Sequence, residues 1–406
     1  MSEAKHPLQG ITVLDLGQVY QGPYCGFLMA LGGARVVKIE SPTGDSVRAR
    51  ADAPGGSSLA FAMLNANKQG MTLDLKTEAG RTVLTELAGH ADVLIENYAP
   101  GVMDKLGVGA TALRAINPRL IYASGSGYGS EGPYRDCLAM DLTIQAVGGI
   151  MSVTGLQETP PLKAGAAVTD FLGGAHLFGA IMSALYRRSI TGEGATLETA
   201  MFDMCYHTLA SNLSMTHKQG RLIPRTGNRH GGLAVVPYNV YPTRDGHIAI
   251  ICVKDGHWKT LVEAMGRPEL ASDPAYATNG ARAARIDEVD ALVAAWTRDW
   301  DKEALFELSM QKRFPAAPVR DLYELSEDPH LHAKGALQHF EHSTLGSVVL
   351  PHSPIRYRDL PRLPLRQDPA LGEHNAAVVG ELLGWDAEKI ARMKKAGAFG
   401  PSRRPD

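Results

Sequence analysis

The fold is decided by a stretch near the start of the chain: Ile11-Thr-Val-Leu-Asp-Leu16, Gly17-Gln-Val-Tyr-Gln-Gly22, Pro23 to Leu31, and Arg35-Val-Val-Lys-Ile-Glu40. The first run is short and apolar, which is typical of a buried strand, and the glycine-bounded run after it is typical of a loop. The third run predicts a helix that ends at Gly32-Gly33, and the fourth predicts a second strand. Together they predict a βαβ unit.

The same alternation continues further along the chain. Helices are predicted over Gly80 to His90 and Ala110 to Ile116, and strands over Asp92-Val-Leu-Ile-Glu96 and Arg119-Leu-Ile-Tyr-Ala-Ser124. Strands that alternate with helices predict an α/β fold with a parallel sheet covered on both faces. A ligand is then expected at the open edge of that sheet.

The second half of the chain suggests a division into domains. A long helix rich in small residues is predicted from Asp170 to Ser189, and the segment Thr196 to Ser214 follows it. Residues 221–237 are rich in Gly, Pro and Arg, which indicates a linker or active-site loop. From Tyr238 to about Pro318 we predict a second, smaller domain, and a terminal helix over Asn375 to Leu383.

Composition narrows the classes of function. In 406 residues, 41 Lys+Arg oppose 43 Asp+Glu, and the formal net charge of -2 gives no field to attract nucleic acid or an anionic membrane. The four cysteines show no metal-binding or disulfide spacing, which favours a reducing cytoplasm. The first ten residues lack the apolar core of a signal peptide, and no long apolar run follows. We therefore expect a cytoplasmic protein with neither a nucleic-acid nor a membrane partner.

A dinucleotide-binding site is disfavoured by the glycines. The first turn, Gly17 to Gly22, lacks the G-x-G-x-x-G pattern. The run Gly127-Tyr-Gly129-Ser-Glu-Gly132 matches it and follows a strand, but Pro133 stands where a helix should begin. The structural context that the motif requires is missing, so NAD or FAD binding is not expected.

Other sites are supported weakly or not at all. The histidines form no metal-binding pattern, so no metal is expected, and Ser124 and Ser126 lack a complete nucleophile elbow. Four basic residues near predicted loops or element ends could bind an anion, although each taken alone is better explained as solvated surface: Arg48, Arg50, Lys76 and Lys105.

Asp170 begins an apolar helix within Val168-Thr-Asp170-Phe-Leu-Gly-Gly174. A carboxylate there has two explanations, a helix N-cap or a nucleophile, and helix caps are the commoner. His176 lies on the same helix about 600° further round, so a catalytic dyad with Asp170 is not expected.

Short motifs along nearly the whole chain resemble the family III CoA-transferases, which include the formyl-CoA:oxalate and carnitine enzymes and are related to α-methylacyl-CoA racemase. The matching segments are Leu8 to Asp15, Gly22-Pro23, Gly33 to Pro42, Gly44-Asp45, Leu64 to Lys68, Leu73 to Lys76, Ala91 to Asn97, Pro100-Gly101, Asn117 to Ile121, Gly127 to Gly129, Val153 to Gly155, Pro160-Pro161, the Asp170 segment, Thr191-Gly192, Tyr241 to Gly246 and Leu371 to His374.

The resemblance implies a nucleophile, a substrate and a set of contacts. Asp170 would attack an acyl-CoA thioester, form a mixed anhydride and then an aspartyl-CoA thioester, and pass CoA to a free carboxylic acid. CoA is a substrate here, and no permanently bound cofactor is implied. The implied CoA contacts are Val19, Tyr20, Leu73, Asp74, Leu75, Lys76, Asn97, Tyr98 and Lys105. Lys105 stands where many relatives have arginine, and Ser41 also departs from the oxalate enzyme.

The resemblance also implies an architecture. A Rossmann-like large domain would be built from both termini, residues 1–220 and 326–406, around a smaller α+β domain at 238–325. Two ring-shaped subunits would interlock into an obligate homodimer, or into a heterodimer with a homologous subunit. The glycine-rich segment Thr226 to Gly232 would serve as a lid that excludes water.

Departures from the family pattern bear on the alternatives. The racemases carry a proton-exchanging histidine just before the aspartate that matches Asp141, whereas this chain has Met140, which cannot take a proton. The longer glycine run of the oxalate enzyme is absent near Gly231-Gly232, which disfavours oxalate specificity. An acyl-CoA racemase or isomerase, or a non-catalytic subunit of a heteromer, stays an alternative.

Overall fold

The computed structural model describes residues 6–48 and 57–400. They group into two compact units. The first takes in the chain as far as Ile144, then Ala166–Met204, then the chain from Asp328 onward, and the second takes in Gln145–Gly165 and Cys205–Glu327. The sequence-based boundaries lie at 220, 237 and 325, so residues 145–165 and 205–220 fall in the second unit and not with the N-terminal part. The domain assignment itself stays a prediction.

The first unit contains a six-stranded sheet in which every neighbouring pair is parallel, in the order β3-β2-β1-β4-β5-β6. Its strands are β1 Thr12–Asp15, β2 Arg35–Glu40, β3 Gln69–Thr72, β4 Val93–Glu96, β5 Ile121–Ser126 and β6 Ala195–Ala200. This is the order of a doubly wound, Rossmann-like sheet, whose winding reverses between β1 and β4. The predicted α/β fold with a parallel sheet is confirmed.

The helices of this unit are α1 Gln21–Leu31, α2 Leu59–Asn65, α3 Glu78–His90, α4 Val102–Lys105, α5 Ala110–Ile116, α7 Val168–Thr191, α15 Pro329–Ala333, α16 Asn375–Leu383 and α17 Ala387–Lys395. A hairpin of β10 Leu337–His342 and β11 Gly346–Pro351 belongs to the same unit. Helices α6 Asp141–Val147 and α8 Met201–Thr208 run across the divisions between the units.

Two strands differ from the sequence-based expectation. The segment that begins at Thr196 opens as edge strand β6, whose residues alternate between more and less exposed positions, as a period of two requires. Strand β3 went unpredicted because Gln-Gly-Met-Thr carries little β-propensity. Its Gly70 is needed because a Cβ there would lie 2.7 Å from the ring of Pro369, in the returning C-terminal segment.

The sheet is buried on both faces. Successive strand residues point to opposite sides, so Val13 packs in one hydrophobic cluster and Leu14 in the other. The Val13 cluster includes residues of α1 and α7, and the Leu14 cluster includes residues of α3 and α16. Because both faces are buried, the strands have near-continuous apolar sequences.

By length and composition alone, helix α7 is long and apolar enough to span a membrane. The core helix of a globular protein can have the same length and composition. Leu177 and Ile181 of α7 lie fully buried in the cluster with Val13. Gly192, at φ 78°, ends the helix in the left-handed conformation that glycine adopts without strain.

The second unit contains a three-stranded antiparallel sheet, β7-β8-β9, and its own core. Trp258, Ile248 and Val293 are fully buried in it. The strands of this sheet are β7 Tyr238–Pro242, β8 His247–Ile251 and β9 Ala316–Pro318. The helices of the unit are α9 Ala210–Gln219, α10 Asp255–Ala264, α11 Asn279–Ala283, α12 Ile286–Thr297, α13 Lys302–Lys312 and α14 Leu322–Ser326.

Candidate active site

The loops after β1 and β4 are joined where the winding of the sheet reverses. The backbone N–H of Gln18 donates to Asn97 Oδ1 at 2.7 Å, and Asn97 Nδ2 donates to the carbonyl of Gln18 at 3.0 Å. This pair of hydrogen bonds holds the two loops together. In open α/β sheets, ligands bind in the crevice at this point.

A buried ionic network shapes the loop after β1. The carboxylate of Asp15 accepts from Lys68 Nζ at 2.7 Å and from the backbone N–H of Gly17 at 2.9 Å. Burial, the largest effect, lowers the pKa of Lys68 to about 8. A second carboxylate, Asp45, pairs with the buried Lys38 at 3.2 Å. The four charged side chains are therefore buried as two ion pairs, and they fix the path of the loop backbone.

Val19 carries backbone strain within this loop. Its φ of 62° lies in the left-handed region, which a β-branched residue rarely adopts. The Val19 N–H donates to the carboxylate of Asp45 at 3.3 Å, and this bond helps to hold the conformation. Strain of this kind concentrates at ligand sites, where surrounding contacts hold it in place.

Six of the nine predicted CoA contacts line one groove, which we call the CoA groove. They are Leu73, Asp74, Leu75, Lys76, Tyr98 and Lys105, and the groove has a volume of about 570 Å³. It lies beyond the carboxyl ends of β2, β3 and β4. Lys76 and Lys105 are exposed, and in the described part of the chain neither forms a salt bridge. Their ammonium groups are therefore free to pair with phosphates.

A second cavity, the Asp170 cavity, has a volume of about 220 Å³. Val19, Asn97, Tyr98 and Asp170 line it, which accounts for two further predicted contacts. Gln18 and Tyr98 line both the cavity and the CoA groove, so the two spaces adjoin. The lining also includes larger, mainly apolar side chains, namely Tyr128, Leu138, Met140 and Met201.

Asp170 is not a helix cap. Helix α7 begins after Ala167, and the carboxylate that satisfies its first turn belongs to Asp141, which accepts from the backbone N–H of Thr169 at 2.8 Å and from its hydroxyl at 2.6 Å. Asp170 itself is 9% exposed, and within residues 6–48 and 57–400 its carboxylate makes no hydrogen bond. The capping explanation of its position is therefore wrong.

The environment of Asp170 favours its neutral form. Burial, and secondly the negative charge of Asp141, raise the pKa of Asp170 to about 6. At pH 7 the group is still mostly ionised, because its pKa lies below that pH. A poorly solvated carboxylate without hydrogen-bonding partners is a better nucleophile than one in water.

Two other predicted residues, Tyr20 and Arg48, line neither the CoA groove nor the Asp170 cavity. Tyr20 is absent from both linings, and its ring stacks on Phe171 at 5.9 Å. Arg48 is used internally, since it forms a bidentate pair with Glu40 at 2.8 and 2.9 Å. Arg50 lies outside the described residues.

The glycine run, Ser126 and His176, for which the sequence predicts no role in the site, either lack the helix that the motif requires or make structural hydrogen bonds. The loop Gly127 to Gly132 follows β5, and the next helix, α6, begins only at Asp141. The hydroxyl of Ser126 accepts from the N–H of Gly129 at 2.9 Å. His176 bonds to the carbonyl of Leu172, one turn back in its own helix.

Sequence reasoning missed Gln18, Gln21 and Asp141 as parts of the site. Gln18 and Gln21 line the Asp170 cavity, and Asp141 holds the first turn of α7. A glutamine near a helix start resembles ordinary surface in sequence. The one available signal was position, because both glutamines follow the first strand of a doubly wound sheet.

Comparison with known proteins identifies one family. The model described as CoA-transferase family III matches residues 8–375. Formyl-CoA:oxalate CoA-transferase of Streptomyces avermitilis is 38% identical over 97% of this chain and 99% of its own length. The enzyme of that name from Bradyrhizobium sp. is 33% identical over 98% of both chains.

Solved structures are similar over the same extent. A CAIB/BAIF family protein from Brucella suis has a TM-score of 0.82 and 35% identity, covering 93% of this chain and all of its own. Rv3272 from Mycobacterium tuberculosis has a TM-score of 0.79 and 28% identity, covering 92% of this chain and 99% of its own.

Proposed function

The chain belongs to CoA-transferase family III, and on that premise we propose that it moves CoA from an acyl-CoA thioester to a free carboxylic acid with Asp170 as nucleophile. One observation supports this most. A buried carboxylate that caps nothing and bonds to nothing in the described part of the chain lines a cavity that adjoins the CoA groove.

The chemistry needs four displacements at carbonyl carbons. Asp170 attacks the donor thioester, the C–S bond breaks, and CoA thiolate leaves behind a mixed anhydride. The thiolate attacks the Asp170 carbonyl, releases the donor acid and gives an aspartyl-CoA thioester. The acceptor carboxylate attacks that thioester, the C–S bond breaks, and the thiolate leaves behind a second mixed anhydride. The thiolate then attacks the acceptor's acyl carbon, which gives the new acyl-CoA and releases the Asp170 carboxylate. Each step exchanges one anion for another, so no proton transfer is needed.

We infer that the CoA groove holds the nucleotide part of CoA. Its apolar wall suits an adenine ring, and Lys76 and Lys105 carry the positive charge that phosphates require. Val19, Asn97 and Tyr98 would then guide the pantetheine arm toward Asp170. Tyr20, the remaining predicted contact, would also support α7 through Phe171.

Anhydrides react with water, so the site must close during turnover. Thr226 to Gly232 is the proposed lid. Its Arg229 is anchored by hydrogen bonds to Asp287 and Asp290, both at 2.7 Å. The glycines after Arg229 would therefore supply the movement.

The acids exchanged are proposed to be small. The relatives are named for formyl-CoA and oxalate, whereas the short glycine run near Gly231-Gly232 argues against oxalate. Mass spectrometry of acyl-CoA donors mixed with free acids, including formyl-CoA with oxalate, identifies the pair. Exchange at an α-carbon without any acceptor acid would favour the racemase alternative.

A cytoplasmic, interlocked dimer is also proposed. Tyr186 and Ile190, one turn apart on α7, are 72% and 69% exposed and would be covered by a second subunit. Light scattering of the purified chain should give twice the mass of one chain, together with turnover. A monomer, or a dimer without turnover, would favour a heteromer with a homologous subunit.

Trapping tests the nucleophile. After exposure to donor thioester, hydroxylamine or borohydride should modify Asp170, and peptide mass mapping locates the modification. Asp170→Ala should abolish exchange while the chain still folds, whereas the exposed Asp359→Asn serves as a matched control with unchanged activity. Exchange by Asp170→Ala would overturn the mechanism.

A further inference from the structure

Gln21 carries an unsatisfied buried amide in the Asp170 cavity. It is the first residue of α1, only 2% of it is exposed, and it lines that cavity. Its Nε2 is buried and has no hydrogen-bond partner within the part of the chain that the structure describes. Leaving such a group unpaired is unfavourable, because the hydrogen bond it would make to water is lost and not replaced. A ligand that accepts a hydrogen bond would remove this cost.

Two glycines make room for this amide next to Asp170. A Cβ at Gly173 would lie 2.7 Å from Gln21 Nε2, and a Cβ at Gly125 would lie 2.9 Å from Gln21 Oε1. Gly173 follows Asp170 by three residues in α7, so the two positions share one face of the helix. The amide of Gln21 therefore lies against α7 about one turn after Asp170, in the cavity that both residues line.

We propose that Gln21 is a further catalytic residue, whose amide donates a hydrogen bond to the acyl oxygen at the carbon under attack. This inference rests on the proposed function. Each of the four displacements places a negative charge on a carbonyl oxygen. A fixed donor aimed at that oxygen stabilises the tetrahedral intermediate more than the planar ground state. The amide keeps both its protons throughout, so it takes no part in proton transfer.

The free enzyme argues against a simpler role, in which Gln21 only holds the carboxylate of Asp170. No hydrogen bond joins the two side chains, although both line the same cavity. A donor on the carboxylate would lower the pKa of Asp170, whereas that pKa is raised. The amide is thus left for the substrate.

The test replaces Gln21 by methionine, which has a similar volume but no amide. Gln69→Met is the matched control, because Gln69 begins β3, at the amino end of the sheet, and bonds to Arg35 at 2.8 Å. The probes are formyl-CoA with oxalate and succinyl-CoA with labelled succinate. We expect Gln21→Met to lower kcat about 10²-fold with little change in KM for the thioester. The control should keep wild-type kcat.

Two readouts separate catalysis from structure. Because the amide is unpaired in the free enzyme, Gln21→Met should not lower Tm. The pH profile of the remaining activity should keep its apparent pKa, whereas a residue that only positions Asp170 would shift it. In infrared spectra, a ¹³C-labelled acyl carbonyl on wild-type Asp170 should absorb at lower frequency than on Gln21→Met.

The outcomes distinguish the two proposals. If wild-type enzyme gives no Asp170 adduct with any thioester, the proposed function fails. If wild type and Gln21→Met form the adduct at equal rates, the role of Gln21 fails and the proposed function stands. A fall in kcat that is matched by a fall in Tm would also overturn the role of Gln21.

Discussion

The carboxylate of Asp170 destabilises the fold at neutral pH. In the unfolded chain its pKa is near the ordinary 3.8, and in the folded chain it rises to about 6, chiefly through burial. The folded state therefore binds this proton more tightly than the unfolded state does. Between these two values stability falls as pH rises, and above pH 6 the full cost, on the order of 3 kcal/mol, is present. The proposed role of Asp170 as nucleophile would account for retaining such a group.

Asp170→Asn should accordingly stabilise the protein while it removes the nucleophile. The amide is neutral at every pH, so the gain over wild type should be about 3 kcal/mol at pH 8 and about half that at pH 5. Thermal unfolding of both proteins at the two pH values measures the difference. Equal Tm values at pH 8, or a gain that is larger at pH 5, would contradict the burial of an ionised carboxylate.

At the scale of elements, the start of α7 depends on a residue from another segment. Asp141 accepts two hydrogen bonds from Thr169. In most helices the acceptor for the first turn is the N-cap residue that directly precedes the helix. The same carboxylate raises the pKa of Asp170 by its charge. One side chain therefore both holds the start of the helix and raises the proton affinity of Asp170.

Asp141→Asn should separate these two effects. The asparagine oxygen can still accept from the Thr169 N–H, so Tm should change little. Loss of the charge should lower the pKa of Asp170, and with it the apparent pKa in the pH profile of kcat/KM, relative to wild type. Asp141→Ala is the control, because it also removes the cap and should cost about 1 kcal/mol. A rise in the apparent pKa of Asp141→Asn would refute the coupling.

The elements show what sequence can and cannot predict. The first βαβ unit was predicted within one or two residues, because its apolar runs and glycines are local signals. The residues of the candidate site came from family resemblance. Asp141 and Gln21 were missed because their roles depend on where distant segments meet. The hydrogen bonds of Asp141 and the glycines beside Gln21 can be read only from coordinates.

At the scale of the whole molecule, the C-terminal segment completes the N-terminal sheet. His374 and Asn375 continue the hydrogen bonding of edge strand β3: the His374 N–H donates to the Gly70 carbonyl at 2.8 Å, and Asn375 Oδ1 accepts from the Thr72 N–H at 2.8 Å. Helix α16 then packs on α3 and β3. The strand that leads into Leu73 to Lys76 thus depends on residues some 300 positions later in the chain.

This dependence predicts that damage to α16 removes CoA binding at a distance. Val378 is fully buried in the cluster that also holds Leu73 of the CoA groove. Val378→Asp would place an unpaired charge there, at a cost of several kcal/mol, and we expect a large fall in Tm with loss of CoA binding by calorimetry. Ala377→Asp, on the exposed side of the same helix, should leave both unchanged. If Val378→Asp bound CoA as wild type does, the groove would be independent of the C-terminal segment. That result would contradict the burial of Val378 and Leu73 in one shared cluster.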